Sequence, residues 1–598
     1  MKPVWLSWSL GLSGTLAGML AVAAAPEPVG AELDAGLPVV RSLIERFEAD
    51  RDSLDHVWGV PGAEGWLERH RRFLREWQQR LEAVDFDSLS PAERIDWILF
   101  REELRFARRE LVRRQERFEE MAELLPFDRD LASLELERRR LRFIRGREAA
   151  DRLHRVAEQI REAQQRWKER LKAAEGQEPP CPRTLAWRAV QRIGQLRGYL
   201  RAWRRFYEGY DPQFTWWAPQ PADAVDKALA SYRDWVKEKL AGVAPGEEDP
   251  VIGDPIGREA LMDALRHEFI VYTPEELIRI AEREFAWCEE QARQVADELG
   301  FDGDWRKALE HVKSLHVPPG RQPALIKAEA REAIRFIEER DLVTIPPLAK
   351  ECWRMEMMTP EQQRVNPYFT GGETINVSYP TASMAHEDKL MSLHGNNRHF
   401  CHAVVHHELI PGHHLQLFMA ERYQPHRRLF RTPFLVEGWA LYWEMRLWDL
   451  GFARNAEDKV GMLFWRMHRC ARIIFSLKFH LGEMTAPEAI DFLVERVGHE
   501  RNNATAEVRR SVGGAYGPLY QAAYMLGGLQ LRALHDELVR EGGMSERAFH
   551  DAVLRQNAIP IELIRAALRG DRLEPNFRAR WRFYPALEET PEKQGGAG

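Results

Sequence analysis

The sequence predicts a mostly α-helical fold with one small β element, and three observations carry that expectation. Apolar residues recur at steps of three and four through long stretches rich in Arg and Glu. The clearest run holds Leu153, Val156, Ile160, Ala163, Trp167 and Leu171, a spacing that lines one face of a helix. Helix starts are signalled directly, as at Tyr272-Thr-Pro-Glu-Glu-Leu: Thr273 suits the cap, Pro274 the first position, and Glu275 and Glu276 the positive end of the dipole. Gly371 to Pro380 breaks this texture, because Ile375, Val377 and Tyr379 alternate with polar neighbours after a Gly-Gly turn, the pattern of a strand.

In chain order, Lys2 precedes an apolar stretch from Val4 to Val22, and Ala21-Val22-Ala23 offers a small-x-small cleavage site. Residues 1–23 therefore read as a signal peptide, with the mature chain beginning near Ala24 and a periplasmic or secreted destination. A retained anchor is the competing reading. Residues 24–250 form an N-terminal helical region. In Glu137 to Arg140 and similar runs the signs interleave, which marks solvated helix faces with ion pairs four residues apart. Pro245, Gly246, Pro250, Gly253, Pro255 and Gly257 stand among acidic residues and mark a boundary near residue 250. A second helical region, 251–598, follows. No repeat of fixed period appears, which excludes a solenoid.

Of the 598 residues 44% are hydrophobic and 30% charged, the balance of a soluble globular chain and not of a disordered or fibrous one. Net charge is −7 from 86 basic and 93 acidic residues, so nothing draws the chain to nucleic acid, and no membrane contact is expected after signal cleavage. The five cysteines lack any CxxC pair, which excludes a cysteine zinc knuckle and suggests buried thiols. Any metal must sit on histidine and carboxylate.

His407-Glu408-Leu-Ile-Pro-Gly-His413-His414 supplies both. Val404, Val405, Leu409 and Ile410 around it predict a buried helix, and burying polar groups there requires a reason. A hydrolytic zinc site is one: imidazoles and a carboxylate hold the ion, and a neighbouring Glu takes the proton of a water. The usual HExxH spacing is absent, since Pro411 stands four residues after His407. In a straight helix His413 points about 120° away from His407, and His414 lies about 10 Å along the axis. Pro411 and Gly412 are suited to breaking the helix and returning His413, with His414 left as the alternative. Glu437, set in the apolar segment Val436-Glu-Gly-Trp-Ala-Leu-Tyr-Trp-Glu444, is the third expected ligand, and Glu444 lies two turns on as a partner for a ligand histidine or as an exposed charge.

These segments resemble the family called domain of unknown function 885, which groups with gluzincin-type zinc peptidases and is similar in layout to thimet oligopeptidase and carboxypeptidase Taq. The likeness extends through Gly257-Arg-Glu-Ala-Leu, Tyr272-Thr-Pro-Glu-Glu-Leu and Gly517-Pro-Leu-Tyr-Gln-Ala-Ala-Tyr524. It implies a large helical zincin-like fold with a channel between two halves, so that residues 251–598 form the catalytic region. It implies one zinc held by His407, His413 or a close neighbour, and Glu437, with Glu408 as base and short peptides as substrates. One departure stands out: Arg472-Ile-Ile-Phe-Ser476-Leu-Lys-Phe-His480 has Ser476 where the resemblance leads one to expect Asp, and His480 is left outside the site.

An oxyanion donor is expected beside the metal; Tyr524 is the choice, with Tyr516 and Tyr520 as rivals, and Arg510 is a candidate for a substrate carboxylate. His402 and His406, four residues apart, form a rival metal pair without an adjacent base. His386 and His399 read as loop residues. The expected function is a zinc metallopeptidase; the alternatives are a zinc hydrolase of a non-peptide amide or ester, and a catalytically silent binding protein.

Overall fold

The computed structural model describes residues 38–175, 179–247, 250–363, 368–514 and 516–587; the expected signal peptide lies outside them. The chain is mostly α-helical, with 71% of it in helix, because amphipathic periodicity runs through nearly every segment. The Gly146–Ala173 helix buries Leu153, Val156, Ile160, Ala163 and Trp167, the stripe that the spacing predicts. The Pro91–Glu120 and Pro274–Glu298 helices open with full capping boxes, Ser90 with Glu93 and Thr273 with Glu276, each followed by Pro. Each box satisfies two backbone donors that the first helical turn leaves unpaired.

Between Leu240 and Gly257 the described residues carry no helix. Asp254 in this loop accepts from Arg117 (3.0 Å) and Arg188 (2.7 Å), and Asp263 beyond it accepts from Arg105 and Arg113, both at 2.7 Å. These bonds tie the long Pro91–Glu120 helix to the second half of the chain. One continuous apolar cluster includes buried residues from both sides of the loop.

The β element is a two-stranded parallel pair, β1 (Arg354–Met357) and β2 (Thr374–Val377), in register from Arg354 opposite Thr374 to Met357 opposite Val377. Ile375 and Val377 point inward and are fully buried, as the alternation predicts. The strand stops short of Tyr379 because Gln363 Oε1 takes the Ser378 hydroxyl (2.9 Å) and the Tyr379 N–H (3.2 Å). At Asn376 the strand's remaining backbone groups exchange hydrogen bonds with Thr370 (2.8 and 3.2 Å), so there the chain itself caps the edge.

Six helices build the region around the histidine cluster: α1 (Arg398–Glu408), α2 (His413–Ala420), α3 (Pro433–Asp449), α4 (Ala456–Leu481), α5 (Arg501–Val512) and α6 (Tyr520–His535). Helices α3 and α6 meet backbone to backbone: a Cβ on Gly438 would lie 2.5 Å from the Gly527 Cα, and one on Gly527 would lie 1.9 Å from the Phe434 carbonyl oxygen. Only glycine allows this approach. Gly527→Ala should force the two helices apart and cost about 1–3 kcal/mol, the usual range for overpacking; thermal unfolding that matches the wild type would contradict the crossing.

Candidate metal centre

Helix α1 is capped by Asn397, whose side chain accepts from the N–H groups of His399 and Phe400, both at 3.0 Å. It ends at Glu408, and Leu409 leaves helical geometry (φ −111°, ψ −106°). The chain reverses through a cis Ile410–Pro411 peptide, Gly412 N–H donates to His406 O (3.0 Å), and His414 N–H donates to Leu409 O (3.0 Å) as α2 begins. A Cβ on Gly412 would lie 1.8 Å from His407 O, so the reversal requires glycine. The Trp439 indole donates to Pro411 O (2.8 Å) and pins the turn to α3. His413 is thereby returned to His407, with ring centroids 4.8 Å apart and nearly perpendicular. His414 points away, with its Nε2 2.8 Å from Ala349 O.

Glu437 arrives on α3 opposite the two rings. Its Oε2 lies 3.1 Å from His413 Nε2 and 3.8 Å from His407 Nε2, yet this buried oxygen is left without a donor of hydrogen-bond geometry among the described residues. One ligand atom from each of His407, His413 and Glu437 lies within 4.8 Å of the others. Glu437 Oε1 accepts from the Tyr520 hydroxyl. Two turns along α3, Glu444 Oε1 lies 2.6 Å from His407 Nδ1 and 3.6 Å from Arg469 Nη2 on α4, so Glu444 is a partner of His407 and not a surface charge.

Burial raises the Glu437 carboxyl, but His413 and His407 outweigh it and hold the group well below the usual carboxylate range. Burial lowers His407, yet Glu437 and Glu444 raise it to about 9. In Glu408 burial prevails over the pull of His407 and His413, and its carboxyl is raised. Glu408 is overlaid by the segment leading into β2: a Cβ on Gly371 would lie 2.3 Å from Glu408 Oε2. The Gly-Gly signal before the strand marks this close approach as well as a turn.

Tyr524 stacks nearly parallel to His407 at 6.2 Å under the guanidinium groups of Arg469 and Arg472, and burial raises its hydroxyl. Tyr520 packs against Tyr524 at 5.7 Å and Tyr516 against Tyr520 at 4.3 Å. Behind them Glu507 accepts from Arg472 (2.7 and 3.1 Å) and Gln521 (3.0 Å) and pairs with Arg510 (2.9 Å), so the latter guanidinium is already engaged. Ser476 is buried and its hydroxyl has no partner among the described residues. His480 is buried beside Arg117 and Asp254, and burial lowers it to about 4.

The rival pair does not assemble. His402 Nδ1 lies 2.8 Å from Glu329 Oε2, while neither ring nitrogen of buried His406 has a partner among the described residues. Glu329, Glu332 and His402 do cluster, but Arg454 lies 3.2 Å from Glu329 and 3.0 Å from Glu332 and supplies the positive charge. His386 and His399 stand on helices, not in loops. Asn397, part of the polar stretch that reads as a loop, is the cap of α1, and His399 is buried 2.7 Å from Asp458. Four cysteines are buried as expected and Cys352 is exposed.

A cavity of about 1990 Å³ lies between the Pro91–Glu120 helix and the Ser511–Tyr520 segment. It reaches Tyr520, whose hydroxyl bonds Glu437, so its inner end touches the histidine–carboxylate cluster through one side chain.

A model of the family described as "Bacterial protein of unknown function (DUF885)" matches residues 47–568. The fold is similar to that of a candidate lipoprotein of unknown function from Shewanella oneidensis, with TM-score 0.66 and 17% identity over 89% of this chain and 99% of that one. It is also similar to a candidate lipoprotein from Colwellia psychrerythraea, with TM-score 0.54 and 15% identity over 89% and 98% of the two chains. No curated protein matches the sequence.

The Glu507 carboxyl is held at about 2 against an ordinary 4.5: burial raises it, and Arg472 and Arg510 more than reverse that. A depressed folded-state value adds stability that is complete above the unfolded value and fades as pH falls toward 2. Acidifying the wild type through that window should lower its urea midpoint, and Glu507→Gln should flatten the dependence while costing about 3–5 kcal/mol at neutral pH through the unpaired arginines.

Proposed function

The chain belongs to the DUF885 family of bacterial proteins, and we propose that this member is a zinc-dependent metallopeptidase that hydrolyses peptide bonds of short peptides. The observation that carries the reading is the convergence of His407 Nε2, His413 Nε2 and Glu437 Oε2 directly beside a buried, base-capable Glu408.

The donor set fits zinc. Bonds of about 2 Å from a tetrahedral ion place ligand atoms about 3.3 Å apart, and the observed separations of 3.1 and 3.8 Å bracket that. The undonated Glu437 Oε2 is the orphan that a cation would satisfy. Two imidazoles and one carboxylate leave a coordination position open, the mark of a catalytic site and not of a structural one. When bound, zinc supplies Lewis acidity, polarising a scissile carbonyl and acidifying water.

The protein's own groups do the rest. Glu444, with Oε1 2.6 Å from His407 Nδ1, favours the tautomer whose proton stays on Nδ1, which leaves the Nε2 lone pair for the cluster; Arg469 favours the charged form of Glu444. Glu408, raised by burial, accepts a proton from water and returns it to the leaving amine, a transfer that works best when the carboxyl lies close to the working pH. Tyr524 is the proposed oxyanion donor, and Tyr520 orients Glu437 by the hydrogen bond to Oε1.

The fold reading that accompanies this chemistry is a zincin-like helical peptidase with residues 251–598 as the catalytic region and 24–250 as the facing wall. The cavity between those walls, about 1990 Å³, exceeds the roughly 300–1,000 Å³ of small-molecule pockets and suits an extended peptide. An extracytoplasmic, periplasmic or secreted, location is supported by the export-type N-terminus and by the likeness to two bacterial candidate lipoproteins.

Elemental analysis should find one zinc per chain, lost in His407→Ala, His413→Ala and Glu437→Ala and kept in His414→Ala. A chain that takes up no metal after reconstitution would overturn the proposal. Glu408→Gln should keep zinc and lose on the order of 10² to 10⁴ in peptide hydrolysis rate; undiminished activity would reject the base, and refusal of all short peptides by zinc-loaded enzyme would reject the substrate class.

A further inference from the structure

Among the described residues the most exposed of the large apolar side chains gather at one apex. Among the described residues every exposed Trp and Phe lies there: Phe143 (83% exposed), Phe206, Trp216 (81%) and Trp217, joined by Leu141 (74%) and Tyr210 (79%). The segments that carry them form one surface. Tyr207 OH donates to Arg142 O (3.0 Å) and packs on Phe206 at 4.9 Å. Gly146 lies so close to the Pro212–Trp217 helix that a Cβ would come within 2.3 Å of Gln213 O, and Arg147 sits over the Trp217 ring at 5.9 Å.

The presentation is rigid. Asp211 caps the Pro212–Trp217 helix through Gln213 and Phe214, and Leu141 is held in the left-handed region (φ 53°).

The charge around the aromatics identifies the occupant. Arg142 and Arg205 are exposed and have no carboxylate partner among the described residues, while Arg140 and Arg147 rest on Trp58 and Trp217. Of the neighbouring acids, Glu148 pairs with Arg145, Glu208 with Arg204, and Asp211 caps the helix. A net positive ring about a Trp, Tyr and Phe cluster, on a chain of net charge −7, matches the layered chemistry of a bilayer surface. Amphipathic aromatics sit at the headgroup level and arginines pair with lipid phosphates. None of these residues lines the cavity.

We propose that this apex, built from residues 140–147 and 205–217, docks the folded protein on an anionic phospholipid surface, contrary to the expectation of no membrane contact that net charge alone suggests. The contact is peripheral, since no described helix is long and apolar enough to cross a membrane. The proposal is independent of the peptidase reading.

Co-sedimentation of the full chain with vesicles tests it. The wild type should bind vesicles of equal parts phosphatidylcholine and phosphatidylglycerol, bind poorly to phosphatidylcholine alone, and weaken as salt rises. The Phe143→Ser/Trp216→Ser and Arg142→Glu/Arg205→Glu pairs should each bind about tenfold or more weakly, with thermal midpoints matching the wild type because all four residues are exposed. Equal binding by wild type and variants overturns the proposal, as does wild type that ignores anionic vesicles. A concentration-dependent dimer that the aromatic variant abolishes also overturns it and assigns the apex to a second copy of the chain.

Discussion

Ionised groups removed from water must be matched by opposite charge or by hydrogen bonds, and this layer of the molecule buries many of them. Glu408, Glu437, Glu444 and Glu507 are all buried, as are His407, His413, Arg469 and Arg472. The matching is ordered in space. Arg472 and Arg510 neutralise Glu507, Arg469 lies beside Glu444, and Glu444 meets His407. Glu437 Oε2 faces two imidazoles with no donor among the described residues. A divalent cation held there, as proposed above, would supply positive charge to that oxygen.

Placing those groups depends on backbone contacts that side chains would forbid. Gly438 and Gly527 let α3 and α6 touch, which brings Glu437 to the tyrosines of α6. Gly412 lets α2 fold back under α1, which brings His413 to His407. Gly371 lets the approach to β2 lie on Glu408. Each glycine gives up side-chain packing for proximity, and the aromatic residues of α3 recover it: Trp439 and Trp443 are fully buried, and Trp439 also holds the reversal through Pro411.

Much of this was legible in the sequence because the signals are local. The stripe from Leu153 to Trp167 and the Thr273 cap are patterns within a few residues, and the break at Pro411-Gly412 announces that a straight helix cannot serve. The choice of His413 over His414 was not legible, since it turns on a carbonyl at Ala349, far away in sequence. His399 was misread for a related reason: a Gly- and Asn-containing stretch signals a loop, but Asn397 is the cap of a helix. The aromatic apex was invisible, because the segments that carry Phe143 and Trp216 meet only in the fold, where Gly146 packs on Gln213 and Arg147 lies over Trp217. Net charge hid it further, since −7 averages over a surface whose local sign varies.

Ser476 shows how an apparent defect in a motif resolves in three dimensions. A carboxylate one turn after Arg472 would pair with it within α4; with serine there, the arginine requires another partner or bears the cost of an unmatched buried charge. Glu507 of α5 meets the need with two hydrogen bonds, and it also gathers Arg510 and Gln521. The contacts of Glu507 join three helices, α4, α5 and α6. Because Arg472 and Arg469 both lie over Tyr524, that junction fixes the ring stacked on His407. The electrostatic support around Tyr524 therefore depends on the docking of α5.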